Sequence, residues 1–159
     1  MVSTRRVLEG RSPLAALPRL RELLNDDAGD VSYRIEFGRD ALQVAFAAVS
    51  AEAGLGLRCQ RSLQPFVLPA RVEQTLGLIR EEAEEAGLPP GYEPLLVPED
   101  GRIVPIDLVE DELILALPVV PVAPGSEAVE RDWPVAADEA AAANPFAALS
   151  ALKATRGRD

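Results

Sequence analysis

Over residues 31–37 apolar and polar side chains alternate without interruption: Val31, Tyr33, Ile35 and Phe37 against Ser32, Arg34 and Glu36. A period of two puts one set on each face of an extended chain, the pattern of a half-buried strand. The parity returns after the turn Gly38-Arg39-Asp40-Ala41, in Leu42, Val44, Phe46 and Ala48. It returns again in Phe66, Leu68, Ala70 and Val72, with Leu76 and Leu78 in step, as one long strand or a bent pair. The Ala/Gly-rich stretch 50–56 reads as a loop, and Leu57-Arg58-Cys59 as the end of a third strand before a turn over 60–65. Strands that follow one another at turn distance predict an antiparallel meander of four or more strands. They argue against a βαβ dinucleotide-binding fold.

Helical signals flank these strands. Ser12-Pro13 reads as the opening of a short amphipathic helix over 14–24, with Leu17, Leu20, Leu23 and Leu24 on one stripe. Pro18 delays its start, because a proline inside a helix loses a hydrogen bond and clashes with the preceding turn. Residues 81–87, EEAEEAG, lack an apolar stripe and read as an acidic loop, and residues 92–97 as a short strand with prolines at its margins. Asp107 is placed as the N-cap of a helix over 107–117, with Val109, Leu113 and Leu117 four apart and joined by Ile106 and Ala116. Pro118 ends it. The expected fold is α+β: a bent antiparallel sheet, open or barrel-like, with short flanking helices. The expected layout is a compact domain over 1–121, an acidic Ala/Pro-rich linker over 122–143, and a helix over 144–154. In that last helix Phe146, Leu149 and Leu152 face one way and dock back on the domain.

The chain has 159 residues, about one domain, with 16 basic and 26 acidic side chains and a net charge of −10. The charge is uneven: residues 81–143 hold 2 basic and 16 acidic side chains, while the segments on either side each carry +2. A wholly basic RNA-coating protein is excluded, and the anionic segment is suited to basic partners or to a plain solvated surface. One cysteine and no histidine exclude an intramolecular disulfide, a triad built on histidine, and a Cys/His zinc site closed within one chain. The longest nearly apolar run, 113–123, is 11 residues and contains two prolines. A membrane-spanning helix needs about 20. The first twelve residues lack an apolar core for a secretory signal. A cytoplasmic protein without membrane or DNA partners is expected.

Few residues suggest chemistry. Cys59 stands between Arg58 and Arg61, which would favour its thiolate, yet it also suits a small buried strand residue. Glu110, Asp111 and Glu112 suggest Mg²⁺, but neighbours on a helix point about 100° apart and do not converge. Helix-start electrostatics or a docking surface accounts for them better. Arg34, Arg39, Arg58, Arg61, Arg71 and Arg80 form either a basic RNA-binding face or ordinary solvated strand positions, and no RRM, KH or cold-shock signature accompanies them. No cofactor and no metal is expected.

Three stretches share an order and spacing with one family: Leu57-Arg58-Cys59-Gln60-Arg61-Ser62-Leu63-Gln64-Pro65-Phe66; Val109-Glu110-Asp111-Glu112 on to Pro118-Val119-Val120-Pro121; and Asn144-Pro145-Phe146-Ala147-Ala148-Leu149 with Leu152-Lys153. Over about residues 30–155 the chain resembles the YceD-like family, the large-ribosomal-RNA-subunit accumulation proteins of bacteria and plastids. The resemblance implies a role in synthesis, processing or stability of 23S ribosomal RNA, and no defined catalytic reaction. It marks Glu110, Asp111, Glu112, Pro118, Pro121, Asn144, Pro145 and Phe146 as partner-contacting positions. Many members carry a second cysteine where Ser62 stands, and cysteine or histidine after the Pro-Val-Val-Pro run, a metal-ligand pattern. Here Ser62 and Val122-Ala123-Pro124-Gly125 offer neither, so packing and hydrogen bonds alone must hold that loop. The expectation is a non-enzymatic ribosome-biogenesis factor whose acidic segment meets a ribosomal protein or an rRNA-processing factor, with 23S RNA contacted indirectly. The alternative is a direct RNA-binding module using Arg58, Arg61 and Arg71. An enzyme built on paired carboxylates with Mg²⁺ is a distant third.

Overall fold

The alternating segments become long strands in the computed structural model, which describes residues 5–126. Four strands, β1 (Arg6–Pro13), β2 (Asp30–Arg39), β3 (Ala45–Arg58) and β4 (Pro65–Ile79), pair in chain order, each antiparallel to the last. A fifth, β5 (Tyr92–Leu96), lies parallel to β4, with Thr75 opposite Tyr92 and Ile79 opposite Leu96. The sheet is therefore mixed, not antiparallel throughout. Parallel neighbours need a crossover of about a dozen residues, and residues 80–91 supply it. They include a 3-10 turn at Glu82–Gly87 where the sequence suggested a loop. That turn is followed by Leu88, whose side chain lies over Gly77, close enough that a Cβ there would stand 2.5 Å from it. Among the described residues the order β1-β2-β3-β4-β5 puts β1 and β5 at opposite edges, and the sheet does not close into a barrel. Helices cover its apolar face, and closure is not needed to bury it.

The stretch 50–56 is strand, not loop. Ala47, Val49, Ala51, Leu55 and Leu57 keep one parity on the buried face of β3, the opposite of the expected Leu42, Val44, Phe46 and Ala48 set, because β3 begins only at Ala45 and Leu42 lies exposed in the turn. At Gly56 a Cβ would stand 2.8 Å from the backbone oxygen of Asp26, whose neighbour Asn25 donates its N–H to the Gly56 oxygen at 2.8 Å. β4 is one continuous strand with Ala70, Val72 and Leu76 buried. β1 gave no alternation because it is an exposed edge of mostly charged and small residues. Ser12 and Pro13 end that strand and do not cap a helix. A 3-10 turn, Leu14–Ala16, leads into helix α1 (Pro18–Leu23), with Pro18 in its first position, where a missing N–H costs nothing. Leu14, Leu17 and Leu20 are buried, while Leu23 is exposed because the chain turns extended at Leu24.

Helix α2 (Pro105–Leu115) begins two residues before the expected cap: Val104 is the N-cap and Asp107 sits in the first turn. Leu108, Val109 and Leu113 join the inner face of the sheet and Leu14, Leu17 and Leu20 in one core. Ala116 is exposed beyond the helix end. Residues 122–126, read as the start of a linker, hydrogen-bond the β3–β4 hairpin. The rest of that linker and the helix over 144–154, with Asn144, Pro145 and Phe146, lie outside the described residues. Among the described residues no helix is long and apolar enough to cross a membrane.

Candidate functional site

The β3–β4 hairpin is organised around a sulfur atom. Cys59 is fully buried, and its N–H donates to the Gln64 oxygen at 2.9 Å, closing the turn. The Cys59 Sγ accepts the Ser62 N–H at 3.4 Å and the Ala123 N–H at 3.3 Å, and lies 3.4 Å from the Ser126 hydroxyl. The Gln60 N–H donates to the Pro121 oxygen at 2.9 Å. The strap after α2 is thus tied to the hairpin by three contacts, two of them to sulfur. The hydroxyls of Ser126 and Ser62 and the Ser62 and Ala123 N–H groups outweigh burial and pull the thiol down to about 6. The arrangement is a hydrogen-bonded clasp. Among the described residues no cluster of His, Cys, Asp and Glu could hold a metal ion.

The acidic triplet divides three ways. Glu110 is only 2% exposed. Its Oε1 accepts the backbone N–H of Arg19 at 2.7 Å and of Leu20 at 3.0 Å, and its Oε2 lies 3.0 Å from the Arg19 guanidinium nitrogens Nε and Nη2. Those two N–H groups have no intrahelical partner at the start of α1, and Leu17 at the N-cap has no side-chain acceptor to give. Glu110 therefore caps a helix ninety residues earlier in the chain. Burial pushes its carboxyl up, but the Leu20 N–H, the Arg19 guanidinium and the Arg19 N–H together hold it below the ordinary carboxylate range. Asp111 is partly open and accepts from Arg19 Nη1 at 2.6 Å. The sequence placed these acids in the first turns as dipole complements or a docking surface. Since the helix starts at Pro105, they fall in its middle, and two of the three are buried.

The third acid, Glu112, is 8% exposed and lines a cleft of about 330 Å³ between α2 and β5. Leu95, Leu108, Ile114 and Leu115 form apolar walls, and Glu93 and Asp111 stand beside Glu112. Burial, then the like charges of Glu93 and Asp111, raise the Glu112 carboxyl above its usual value.

The arginines do not gather into one platform. On the exposed face of the sheet Arg34 pairs with Glu9 on the neighbouring strand. Arg71 lies 3.1 Å from Glu52 and 2.8 Å from Glu73. Arg58 donates to the Leu63 oxygen at 3.1 Å, and Arg61 is exposed on the same hairpin turn. The pairing of Arg58 with Pro65 and of Arg71 with Glu52 separates Arg71 from the hairpin end by six residues, about 20 Å along the strands. Cross-strand acids and arginines alternate, and the face is of mixed charge.

Known proteins resemble this chain in sequence. The family described as large ribosomal RNA subunit accumulation protein YceD matches residues 47–153. A Haemophilus influenzae protein named large ribosomal RNA subunit accumulation protein YceD is 33% identical over 142 residues, covering 86% of this chain and 82% of its own. The chain belongs to the YceD family. No solved structure matches it. The YceD match begins inside β3 and takes in the Cys59 hairpin, the parallel β5, the cleft and α2. It leaves out β1, α1 and β2, and with them Arg19, the partner of Glu110. Arg19, Glu93 and Ser126 were not singled out from the sequence. One signal for Arg19 was available: a helix opening Leu17-Pro18 cannot cap itself, so some acceptor elsewhere had to meet its first N–H groups.

Proposed function

We propose that this protein supports accumulation of the large-subunit ribosomal RNA as a non-enzymatic cytoplasmic factor, acting through a cationic protein partner, either a ribosomal protein or an rRNA-processing factor. Membership of the YceD family carries the reading. Charge supports the route: residues 81–126 hold eleven acidic side chains against the single Arg102, a field that attracts cations and repels phosphate over about 8 Å at physiological salt. Arg34 and Arg71 of the sheet face are offset by acids on their own or the neighbouring strand, which favours indirect over direct contact with RNA.

Depletion is expected to lower 23S relative to 16S ribosomal RNA, and an unchanged ratio would sink the proposal. A pull-down with and without RNase, beside filter binding of the pure protein to 23S fragments across a salt series, tests the route. Partner capture that survives RNase, with no RNA retained at low salt, supports the protein-mediated route. Strong retention with a steep salt dependence would replace it by direct RNA binding.

A further inference from the structure

We infer that the cleft between β5 and α2 is the seat of a lysine or arginine side chain presented by a basic partner segment that also carries apolar residues. The inference rests on the reading above and names where the cationic partner docks. Glu112 is the first ground. It is more than nine-tenths buried and lines the cleft, and among the described residues no hydrogen bond or ion pair reaches its carboxylate. Its carboxylate oxygens keep contact with solvent, since among the described residues no fully buried side-chain oxygen lacks a partner, and the like charges of Glu93 and Asp111 beside it favour a cation there. Asp111 already has Arg19, so the uncompensated charge is on Glu93 and Glu112.

The walls are the second ground. Leu95, Leu108, Ile114 and Leu115 offer an apolar lining behind the carboxylates, and Leu115 and Leu96 are exposed beside it. A side chain with an aliphatic stem and a charged tip matches this order of apolar wall and anionic end, because lysine and arginine bury the stem and extend the head. A bare divalent ion does not match: Asp111 and Glu112 are adjacent on a helix, and the described residues form no metal-binding cluster. The cleft, about 330 Å³, is at the small end of ligand pockets of ~300–1,000 Å³, suited to anchoring side chains of a segment.

The test is fluorescence anisotropy of the full-length protein with three labelled hexapeptides: alternating Leu-Arg, alternating Leu-Gln, and alternating Gly-Arg. The Leu-Arg peptide is expected to bind at least tenfold more tightly than either control. Glu112→Gln, which keeps shape and removes charge, is expected to weaken it about tenfold, while Glu22→Gln on the exposed side of α1 changes it less than twofold. Urea unfolding of each variant establishes that it is folded. In the unsubstituted protein, amide NMR shifts on adding the Leu-Arg peptide are expected at Leu95, Leu108 and Leu115 and not at Leu63. Equal loss in both variants, no loss in Glu112→Gln, equal binding of a control peptide, or shifts elsewhere would each overturn the inference. Because purified protein is used, such a result removes the cleft alone, and the ribosomal RNA ratio decides the wider function independently.

Discussion

Glu110→Ala tests the tie between the two helices. The substitution strips the acceptor from two backbone N–H groups at the start of α1, one of them, on Leu20, buried. Each buried donor left without a partner costs about 1–3 kcal/mol, and loss of a cap alone costs about 0.5–2 kcal/mol. Water can re-solvate the half-exposed Arg19 guanidinium, so the expected loss is about 3–4 kcal/mol. With a urea slope of ~1–3 kcal/mol/M, the midpoint falls by about 1–4 M. Glu110→Gln retains one acceptor oxygen for the two N–H groups but loses the charge and the oxygen that faces the Arg19 guanidinium, and is expected to cost about 1–2 kcal/mol. Acid separates the two effects. The folded carboxyl lies below its unfolded value of about 4.3. Its contribution is therefore complete above the unfolded pKa and lost as pH falls through the folded one. The gap between wild type and Glu110→Gln should hold from neutral pH to about 5 and close below about 4. A Glu110→Ala cost under about 1 kcal/mol, or a gap that persists in acid, would refute the capping argument.

Two further outcomes are expected. The thiolate of Cys59, followed by its ultraviolet absorbance, should titrate near 6 in the native protein and near about 8.5 when unfolded. Ser126→Ala should raise the native midpoint. Since the folded pKa is the lower one, stability relative to Cys59→Ala should grow as pH rises from about 6 to about 8.5; a native midpoint above about 8 would contradict the clasp. Leu63 is exposed and left-handed, with φ 60°. Leu63→Gly relieves about 1–2 kcal/mol of backbone strain against about 0.5–1 kcal/mol of glycine entropy, so thermal unfolding should show a gain of about 0.5–1 kcal/mol.

What the sequence revealed followed the strength of its local signals. Val31, Tyr33, Ile35 and Phe37 announced β2 because large apolar side chains marked every second position. An alternation runs through β3 too, but Ala47, Ala51 and Ala53 write it in small residues beside Gly54 and Gly56, which resemble a loop until Asp26, after α1, is seen against Gly56. β1 was silent because an edge strand of charged residues takes its form from pairing with β2. Parallel β5 depended on the path of residues 80–91, which no short-range pattern specifies. Helical spacing correctly forbade Glu110, Asp111 and Glu112 from converging. It could not show that Glu110 is buried, because that depends on Arg19 and Leu20, ninety residues away.

That long reach has a consequence for synthesis. Residues 30–79 hold two hairpins whose partners lie close in sequence and leave the ribosome almost together. The first helix emerges well before them, yet its opening turn stays unsealed until Glu110 arrives, about 5–20 s later at ordinary translation rates. A polypeptide truncated short of that glutamate keeps every strand but lacks the latch on its amino-terminal helix, and so presents proteases with a frayed start.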